Sequence, residues 1–428
     1  MSTFHYYLVL ATVLGLSVPA AQAFTYTNQF QQWYPQFGWI YDYTLHTNCS
    51  DQLAKYRAGV KNHTEIDRIG GGGTLSALTQ PVVQCILANI SEYLKGQIAT
   101  SQVLLGVMPT ILSLLGPGTD ETATFLLIGR RPLLFLLLSL GTSSVYFERA
   151  FKYPDPSQIL ADHPLRLQQT PRGGAIRAVI IAGEYLLALA AVTNIIVICK
   201  DIGIKTVCIF WSDFIFAPML WGSLSFLLHL GGVLTLRMRL RRLGPGEDAT
   251  GRNISVRQWV RRLLWPGEDA ISGRHASFGQ RLRAVGSLLL RLPGAWMRSE
   301  FELSSAKTNV RFDVFPESRL FVLMAWLLST GTIAHILFGT AIFSSTTFIG
   351  PVDALTVLGR YMASVMACRI IVMYELAGLR DAAKKNAVFD SSGGGGHRAA
   401  VEFADVKQSA FGASTRVSVS GSYIRATR

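Results

Sequence analysis

Residues 177–199 read RAVIIAGEYLLALAAVTNIIVIC, and Arg177 and Glu184 are the charged side chains in this stretch. A helix of this length measures about 34 Å, which is enough to cross the hydrocarbon core of a bilayer. Three other stretches of the chain are comparably long and apolar, namely 207–236, 320–345 and 352–376. The sequence therefore predicts an all-α fold, a polytopic transmembrane helical bundle.

The composition agrees with a membrane protein. Hydrophobic residues make up 50% of the chain, charged residues only 16%, and the mean hydropathy is +0.31. The formal net charge is +13, but the basic residues lie in loops that flank apolar runs. This pattern is typical of the excess of Lys and Arg on cytoplasmic loops, and we expect no nucleic-acid partner.

The N-terminal part has the features of a secreted segment. Residues 1–23 resemble a signal peptide that ends in Ala21-Gln22-Ala23, with an uncleaved anchor as the alternative. Residues 24–98 contain three glycosylation sequons, at Asn48, Asn62 and Asn89. We expect a small disulfide-closed ectodomain in which Cys49 pairs with Cys85, the alternative being two buried thiols. The aromatic residues of 30–45 form its core, lie at the lipid headgroups, or form a carbohydrate- or ligand-stacking face.

Two weaker apolar segments, 99–116 and 132–147, leave the topology open. If both crossed the membrane, the basic loop 237–319 would lie outside, against the positive-inside rule. We therefore expect 99–116 to be re-entrant and 132–147 to be the first of five spans. Arg130 and Arg131 would then lie at the outer interface and avoid a cost of ~2.5–3.5 kcal/mol each in mid-membrane. Six full spans are the alternative.

This topology assigns a side of the membrane to each remaining segment. The N-terminus lies outside, and the loops 148–176 and 237–319 and a disordered tail, 377–428, are cytoplasmic. The pairs of spans lie within 177–236 and 320–376. The sequence predicts a multi-pass protein of the plasma membrane or of a secretory-pathway endomembrane, without deciding between them.

The stretch GVMPTILSLLGPGTDETATFLLIGRRPLLFLLLSLG, within residues 100–150, resembles a group of uncharacterised multi-pass membrane proteins of filamentous fungi. The similarity rests on a Met-Pro-Thr segment, an acidic turn and Arg-Arg-Pro-Leu-Leu before a leucine run. The resemblance implies a membrane protein. The group has no assigned activity, so the resemblance implies no functional residue.

Ionisable side chains inside the predicted spans are candidate functional residues. Glu184, His229 and Arg369 each lie about 10 Å from the cytoplasmic edge at 1.5 Å per residue. They form either a proton- or ion-coupled site or a structural set in which Glu184 neutralises Arg369. Further candidates, at other depths, are Asp213, Arg360 and His335.

The loop 237–319 contains two basic amphipathic stretches, SVRQWVRRLLW and FGQRLRAVGSLLLRL. Helices of this kind bind anionic membrane surfaces. Packing beneath the bundle and binding to a calmodulin-like protein are the alternatives. The basic residues expected to face lipid are Arg237, Arg239, Arg241, Arg242, Arg257, Arg261, Arg262, Arg281 and Arg283.

No catalytic or cofactor motif is recognisable. The sequence has no metal-spaced His/Cys cluster, nucleophile elbow, phosphate loop or dinucleotide fingerprint. We therefore expect no enzyme, no cofactor and no metal site. Two functional hypotheses follow: a non-enzymatic membrane sensor or scaffold with a lipid-binding loop, and an ion- or proton-coupled transporter or channel that uses Glu184, His229 and Arg369.

Overall fold

The computed structural model describes residues 28–61, 76–146, 173–242, 300–306, 312–314 and 317–392. This part of the chain is all-α, with ten helices. They are α1 (Gly38–Asn48), α2 (Ser50–Arg57), α3 (Gln80–Asn89), α4 (Glu92–Leu115), α5 (Thr119–Gly129), α6 (Pro132–Gly141), α7 (Gly174–Lys205), α8 (Ala217–Arg239), α9 (Arg319–Ser344) and α10 (Pro351–Ser392). The predicted signal peptide, Asn62 and the chain beyond residue 392 lie outside the described residues.

Five of these helices are long and apolar enough to cross a membrane: α4, α7, α8, α9 and α10 as far as Ala382. The expected short span at 132–147 is instead the ten-residue helix α6. The expected re-entrant segment 99–116 belongs to the continuous 24-residue helix α4, which contains Pro109 in its interior. By helix length, 99–116 is therefore a better candidate for a spanning segment than 132–147.

The helices α1–α3 form a small N-terminal domain. A disulfide joins Cys49 to Cys85, as expected from the sequence. The domain core is aromatic, and Phe30 and Tyr41 both pack against Phe348, which lies between α9 and α10. The interpretation of the 30–45 aromatics as core is thus confirmed for these two rings. Trp39 and Tyr43 remain exposed.

The helices α5 and α6 form a hairpin. Its two ends meet where the backbone N–H of Tyr146 donates to the carbonyl of Pro117 at 3.2 Å. Gly116, Pro117 and Gly118 interrupt the helix before α5, and a Cβ at Gly116 would lie 2.8 Å from the carbonyl oxygen of Ser144. The hairpin reverses at Arg130 and Arg131. Near this tip, Gly129 lies against Leu379, in the C-terminal part of α10.

Two short antiparallel ribbons close the bundle at its ends. Strand β1 (Val207–Cys208) pairs with β4 (Thr346–Thr347) beside the N-terminal domain. Strand β2 (Leu240–Arg242) pairs with β3 (Phe312–Val314) and joins the two ends of the basic loop. Helix α10 continues past residue 376, and Leu379 and Ala382 are buried in one cluster with residues of the hairpin. The expected disordered tail is wrong for residues 377–392.

Candidate functional site: a buried ionic cluster at Arg131

Arg131 occupies the tip of the α5–α6 hairpin. The preceding residue, Arg130, ends α5 with a left-handed backbone at φ +50°. Pro132 then starts α6, and a residue before proline is kept out of the helical conformation. The chain therefore reverses sharply, and the whole Arg131 side chain lies inside the protein with 0% of its surface exposed.

The guanidinium of Arg131 binds acidic groups from two spans. Its Nη1 atom lies 2.7 Å from Glu184 Oε2 in α7 and 3.0 Å from Glu375 Oε1 in α10. Its Nε donates to the backbone carbonyl of Glu300 at 2.8 Å. The guanidinium carbon also lies 5.5 Å from the centre of the Tyr185 ring. One arginine thus joins the hairpin to α7, to α10 and to the segment that starts at residue 300.

The acidic side chains have further donors. Glu300 Oε1 accepts from the backbone N–H of Leu134 at 3.0 Å and from the Tyr185 hydroxyl. Glu375 Oε2 accepts from the hydroxyl of Ser304. We call this set the Arg131 cluster: Arg131, Glu184, Tyr185, Glu300, Ser304 and Glu375. Through Glu300 and Ser304, the cluster fastens residues 300–306, near the end of the basic loop, to the helical bundle.

The charges of the cluster are buried and unequal in number. Glu184, Glu300 and Glu375 are at most 6% exposed, and they surround one guanidinium. Within the described residues, four cluster atoms have no hydrogen-bond partner: Arg131 Nη2, Glu184 Oε1, Glu300 Oε2 and Glu375 Oε1. The 3.0 Å contact of Glu375 Oε1 with Arg131 is thus an ion pair without a hydrogen bond. Removing charges from water is costly, and an incompletely paired group inside a protein costs more than an exposed one. Such a cluster is therefore expected to have a specific role rather than to maximise stability.

The cluster lies at the end of the bundle opposite the N-terminal domain. Glu375 follows Pro351 by 24 residues, which corresponds to about 36 Å of helix. Glu184 precedes Lys205 by 21 residues, or about 32 Å. Arg131, expected from the sequence beside the outer interface, thus lies at the end of the bundle that is far from the N-terminal domain. Its acidic partners hold it at the far end, which local hydropathy does not encode.

The three residues predicted at one depth belong to separate contacts. Glu184 binds Arg131. His229 is fully buried, with its ring nitrogens 2.9 Å and 3.1 Å from the hydroxyls of Thr122 and Thr142. Arg369 pairs with Glu121 and lies 6.0 Å from the centre of the Tyr146 ring. The predicted neutralisation of Glu184 by Arg369 is therefore replaced by two other ion pairs.

The remaining ionisable candidates stabilise contacts nearer the N-terminal domain. Asp213 lies in the loop before α8, where it accepts from the backbone N–H groups of Leu78 and Thr79 and from the Thr79 hydroxyl. Arg360 donates to Asn194 Oδ1 at 2.9 Å, and its Nη1 lies 3.8 Å from Asp201. These contacts attach the domain to the bundle and join α7 to α10.

His335 and Trp221 form a buried pair between α9 and α8. Their rings stack with centres 5.2 Å apart, and the Trp221 indole donates to the backbone carbonyl of His335 at 3.1 Å. A ring nitrogen of His335 lies 2.9 Å from the Trp221 carbonyl. Such reciprocal bonds fit a role in helix packing.

The glycosylation candidates Asn48 and Asn89 are exposed neighbours. The Asn48 amide donates to Asn89 Oδ1 at 2.9 Å.

Inside the N-terminal domain, the Tyr56 hydroxyl accepts from the backbone N–H of Gln29 at 3.2 Å. Burial raises the pKa of Tyr56 well above the ordinary tyrosine value, so this hydroxyl stays neutral.

The structure describes the two ends of the basic loop. Arg237 is exposed at the end of α8, and Arg239 lies 3.4 Å from Glu317. Arg241 and Arg242 pair through their backbones with Asp313 and Phe312. The other basic candidates lie outside the described residues: Arg257, Arg261, Arg262, Arg281 and Arg283.

Sequence reasoning missed three acidic residues that the structure uses. Glu375 lies inside a predicted span, and Glu121 lies in the acidic turn before the leucine run. Both were visible as charges within or beside apolar sequence. Glu300 is one of many charges in a long loop, and nothing local distinguishes it. Among the described residues, no group of His, Cys, Asp and Glu is arranged to hold a metal ion.

Comparison with protein-family models, with curated proteins and with solved structures found no match to this chain.

Proposed function

We propose that this protein is a non-enzymatic membrane sensor or scaffold, in which the helical bundle couples an N-terminal ectodomain to a basic cytoplasmic loop. The observation that carries the proposal is that α10 makes specific polar contacts at both of its ends. At its start, Asp353 accepts from the backbone N–H of Gln36, and the Gln36 side chain accepts from the backbone N–H of Val352, each at 3.0 Å. Farther along, Glu375 binds Arg131 and Ser304.

The contacts support a topology with five crossings. Gly106 of α4 lies against Ser344, the last residue of α9. Leu115, the last residue of α4, is about 14 Å farther along the helix, so α4 ends inside the bundle. Helix α5 continues to the far end, where Gly129 meets Leu379. We propose that α4 and α5 together make one broken crossing and that α6 is a re-entrant half-helix. The ectodomain then lies outside, and the basic loop and the C-terminus are cytoplasmic.

The proposed orientation and the charge of the basic loop support anionic lipid as its partner. The proposed cytoplasmic end carries Arg177 at the start of α7 and Arg237 and Arg239 at the end of α8. The loop that follows contains 16 Lys and Arg against 8 Asp and Glu in residues 237–319. Anionic inner-leaflet lipids attract such segments by about 1 kcal/mol per basic residue near the surface. The loop would thus bind lipid while residues 300–306 attach it to the spans.

The coupling is tested by disturbing one end of α10 and measuring the other. Asp353→Ala removes an acceptor of the ectodomain contact, and one hydrogen bond contributes about 0.5–1.5 kcal/mol. We expect amide hydrogen exchange in residues 300–306 of the full-length protein in lipid nanodiscs to become roughly 2–10-fold faster. Asp42→Ala, an exposed change in the same domain, is the control. Unchanged exchange in the Asp353 variant would contradict coupling.

A second candidate, a proton- or ion-coupled transporter, is favoured by helix ends inside the bundle. Helix α4 stops and α5 starts at Gly116–Gly118, and α6 ends where Thr142 contacts His229. Discontinuous helices near mid-membrane are frequent at transport sites. Purified protein in liposomes would then show pH-dependent flux that Glu184→Gln abolishes. Absence of flux from correctly folded protein would exclude this candidate.

A further inference from the structure

We propose that Glu184 and Glu375 share a proton inside the Arg131 cluster, and that this proton holds residues 300–306 against the bundle. The two carboxyl groups contact the same nitrogen, Arg131 Nη1, at 2.7 Å and 3.0 Å, so they are neighbours. Both side chains are buried, with 6% of Glu184 and 0% of Glu375 exposed. Two ionised carboxylates repel each other and only accept hydrogen bonds, so one proton between them would replace this repulsion with a hydrogen bond.

The surrounding groups cannot replace this proton. The titratable groups that face the pair are Arg131 from the hairpin tip, Tyr185 from α7 and Glu300 from the 300–306 segment. The Tyr185 hydroxyl donates to Glu300 and not to the pair. With all three carboxyl groups ionised, one guanidinium would face three negative charges in a buried place. Carboxyl groups this close cannot all ionise without a large cost in free energy. A proton on the pair lowers this cost because it removes one negative charge.

The pair has an access route at the proposed cytoplasmic end. A groove of about 700 Å³ runs between the start of α7 and the 300–306 segment, and Tyr185 and Leu303 line it. Tyr185 belongs to the groove and to the cluster at once. We therefore expect the pair to exchange protons on this side of the bundle, about 32 Å from the other end of α7.

Loss of the proton is expected to release the segment. The Ser304 hydroxyl donates to Glu375, and the backbone carbonyl of Glu300 accepts from Arg131 Nε, so both attachments depend on the charges of the cluster. When the pH rises and the proton leaves, repulsion between Glu184, Glu375 and Glu300 opposes their present arrangement. The attachment is thus strongest at low pH and weakens as the pH rises. This regulation rests on the proposed coupling function, whereas the shared proton does not.

The proton itself is tested by infrared difference spectroscopy on the full-length protein in lipid nanodiscs. We expect a protonated carboxyl band at neutral pH that disappears on alkaline titration and is absent in Glu184→Gln and Glu375→Gln. Glu302→Gln, an exposed change in the same segment, is the control and should keep the band. A wild-type protein without the band at neutral pH would overturn the proposal. So would a band that sodium ions remove at constant pH, because the site would then bind a cation instead.

The consequence is tested by hydrogen exchange of residues 300–306, corrected for the intrinsic effect of pH. In the wild-type protein, exchange should become about tenfold faster between mildly acidic and alkaline pH. A tenfold change corresponds to a difference of about one pKa unit between the attached and the released segment. Glu184→Gln should stay slow throughout, because an amide N–H can donate to Glu375 as the shared proton does. Exchange that is fast at every pH in this variant would show a structural role for the carboxylate and overturn the proposal. The Asp353→Ala experiment tests coupling separately.

Discussion

At the scale of single residues, Arg131 shows how a charge can lie inside an apolar bundle. Its guanidinium is fully buried, yet it contacts two carboxyl groups, a backbone carbonyl and an aromatic ring. Arginine suits this position because its planar group offers five donors and remains charged. The adjacent Arg130 is exposed at the turn. Identical neighbours in the sequence thus have opposite environments.

We predict that Arg131→Met lowers the free energy of unfolding by about 3–5 kcal/mol, because removing one partner of a buried ion pair leaves the others uncompensated. The measurement is thermal or denaturant unfolding of the protein in detergent micelles. Arg177→Met removes an exposed arginine at the start of α7 and should change the value by no more than about 0.5 kcal/mol. Equal stability of the two variants would show that the cluster is not a structural unit.

At the scale of helices, small residues decide how closely the hairpin approaches α8. A Cβ added to Gly232 would lie 2.7 Å from the Thr119 Cβ and 2.8 Å from its carbonyl oxygen. The approach also places Thr122 and Thr142 beside His229. Close contacts between small residues are the usual means of packing in membranes, where apolar burial alone does not drive helix association.

We predict that Gly232→Ala destabilises the bundle by about 1–3 kcal/mol, because the extra methyl group meets backbone that cannot yield easily. Gly183→Ala is the matched control on α7, where a Cβ would meet nothing within 4 Å. This control should be neutral or gain up to about 1 kcal/mol from helix propensity. Unfolding midpoints of the two variants, compared under one set of conditions, check the prediction. Similar losses in both would refute the packing argument.

At the scale of the whole molecule, the N-terminal domain and the Arg131 cluster lie at opposite ends of the same helices. Phe348 and Asp213 hold the domain at one end. Glu184 and Glu375 bind Arg131 at the other. Because α7 and α10 extend between both ends, a displacement of the domain and a displacement of the loop can act on the same elements.

The proposed orientation predicts which sequons carry glycan. Asn48 and Asn89 are exposed on the N-terminal domain and should be modified, as should Asn62 of the same domain. A fourth sequon, Asn253-Ile254-Ser255, lies in the basic loop, and Asn253 should be unmodified. Glycosidase shifts of single Asn→Gln variants, expressed in a glycosylating host, measure each site. Glycan on Asn253 would place the loop outside and refute the orientation.

The sequence by itself determined the class of the protein. Runs of apolar residues longer than a bilayer is thick predict spanning helices whatever their neighbours are, and the four clear segments correspond to α7, α8, α9 and α10. The pairing of Cys49 with Cys85 also followed, because two cysteines in one small predicted domain leave one intramolecular pairing. These features depend on local composition and spacing, so they can be read without the fold.

The tertiary structure alone decided the helix bounds within 99–147 and the partners of the buried charges. Helix α4 tolerates Pro109 because its neighbours enclose it, and α6 is short because Thr142–Tyr146 returns to Pro117. Equal depth along a span did not bring Glu184 to Arg369, because depth says nothing about which helix faces are adjacent. Arg131 meets residues 53, 169 and 244 positions away in the chain. Contacts over such separations arise from helix packing, which no local pattern specifies.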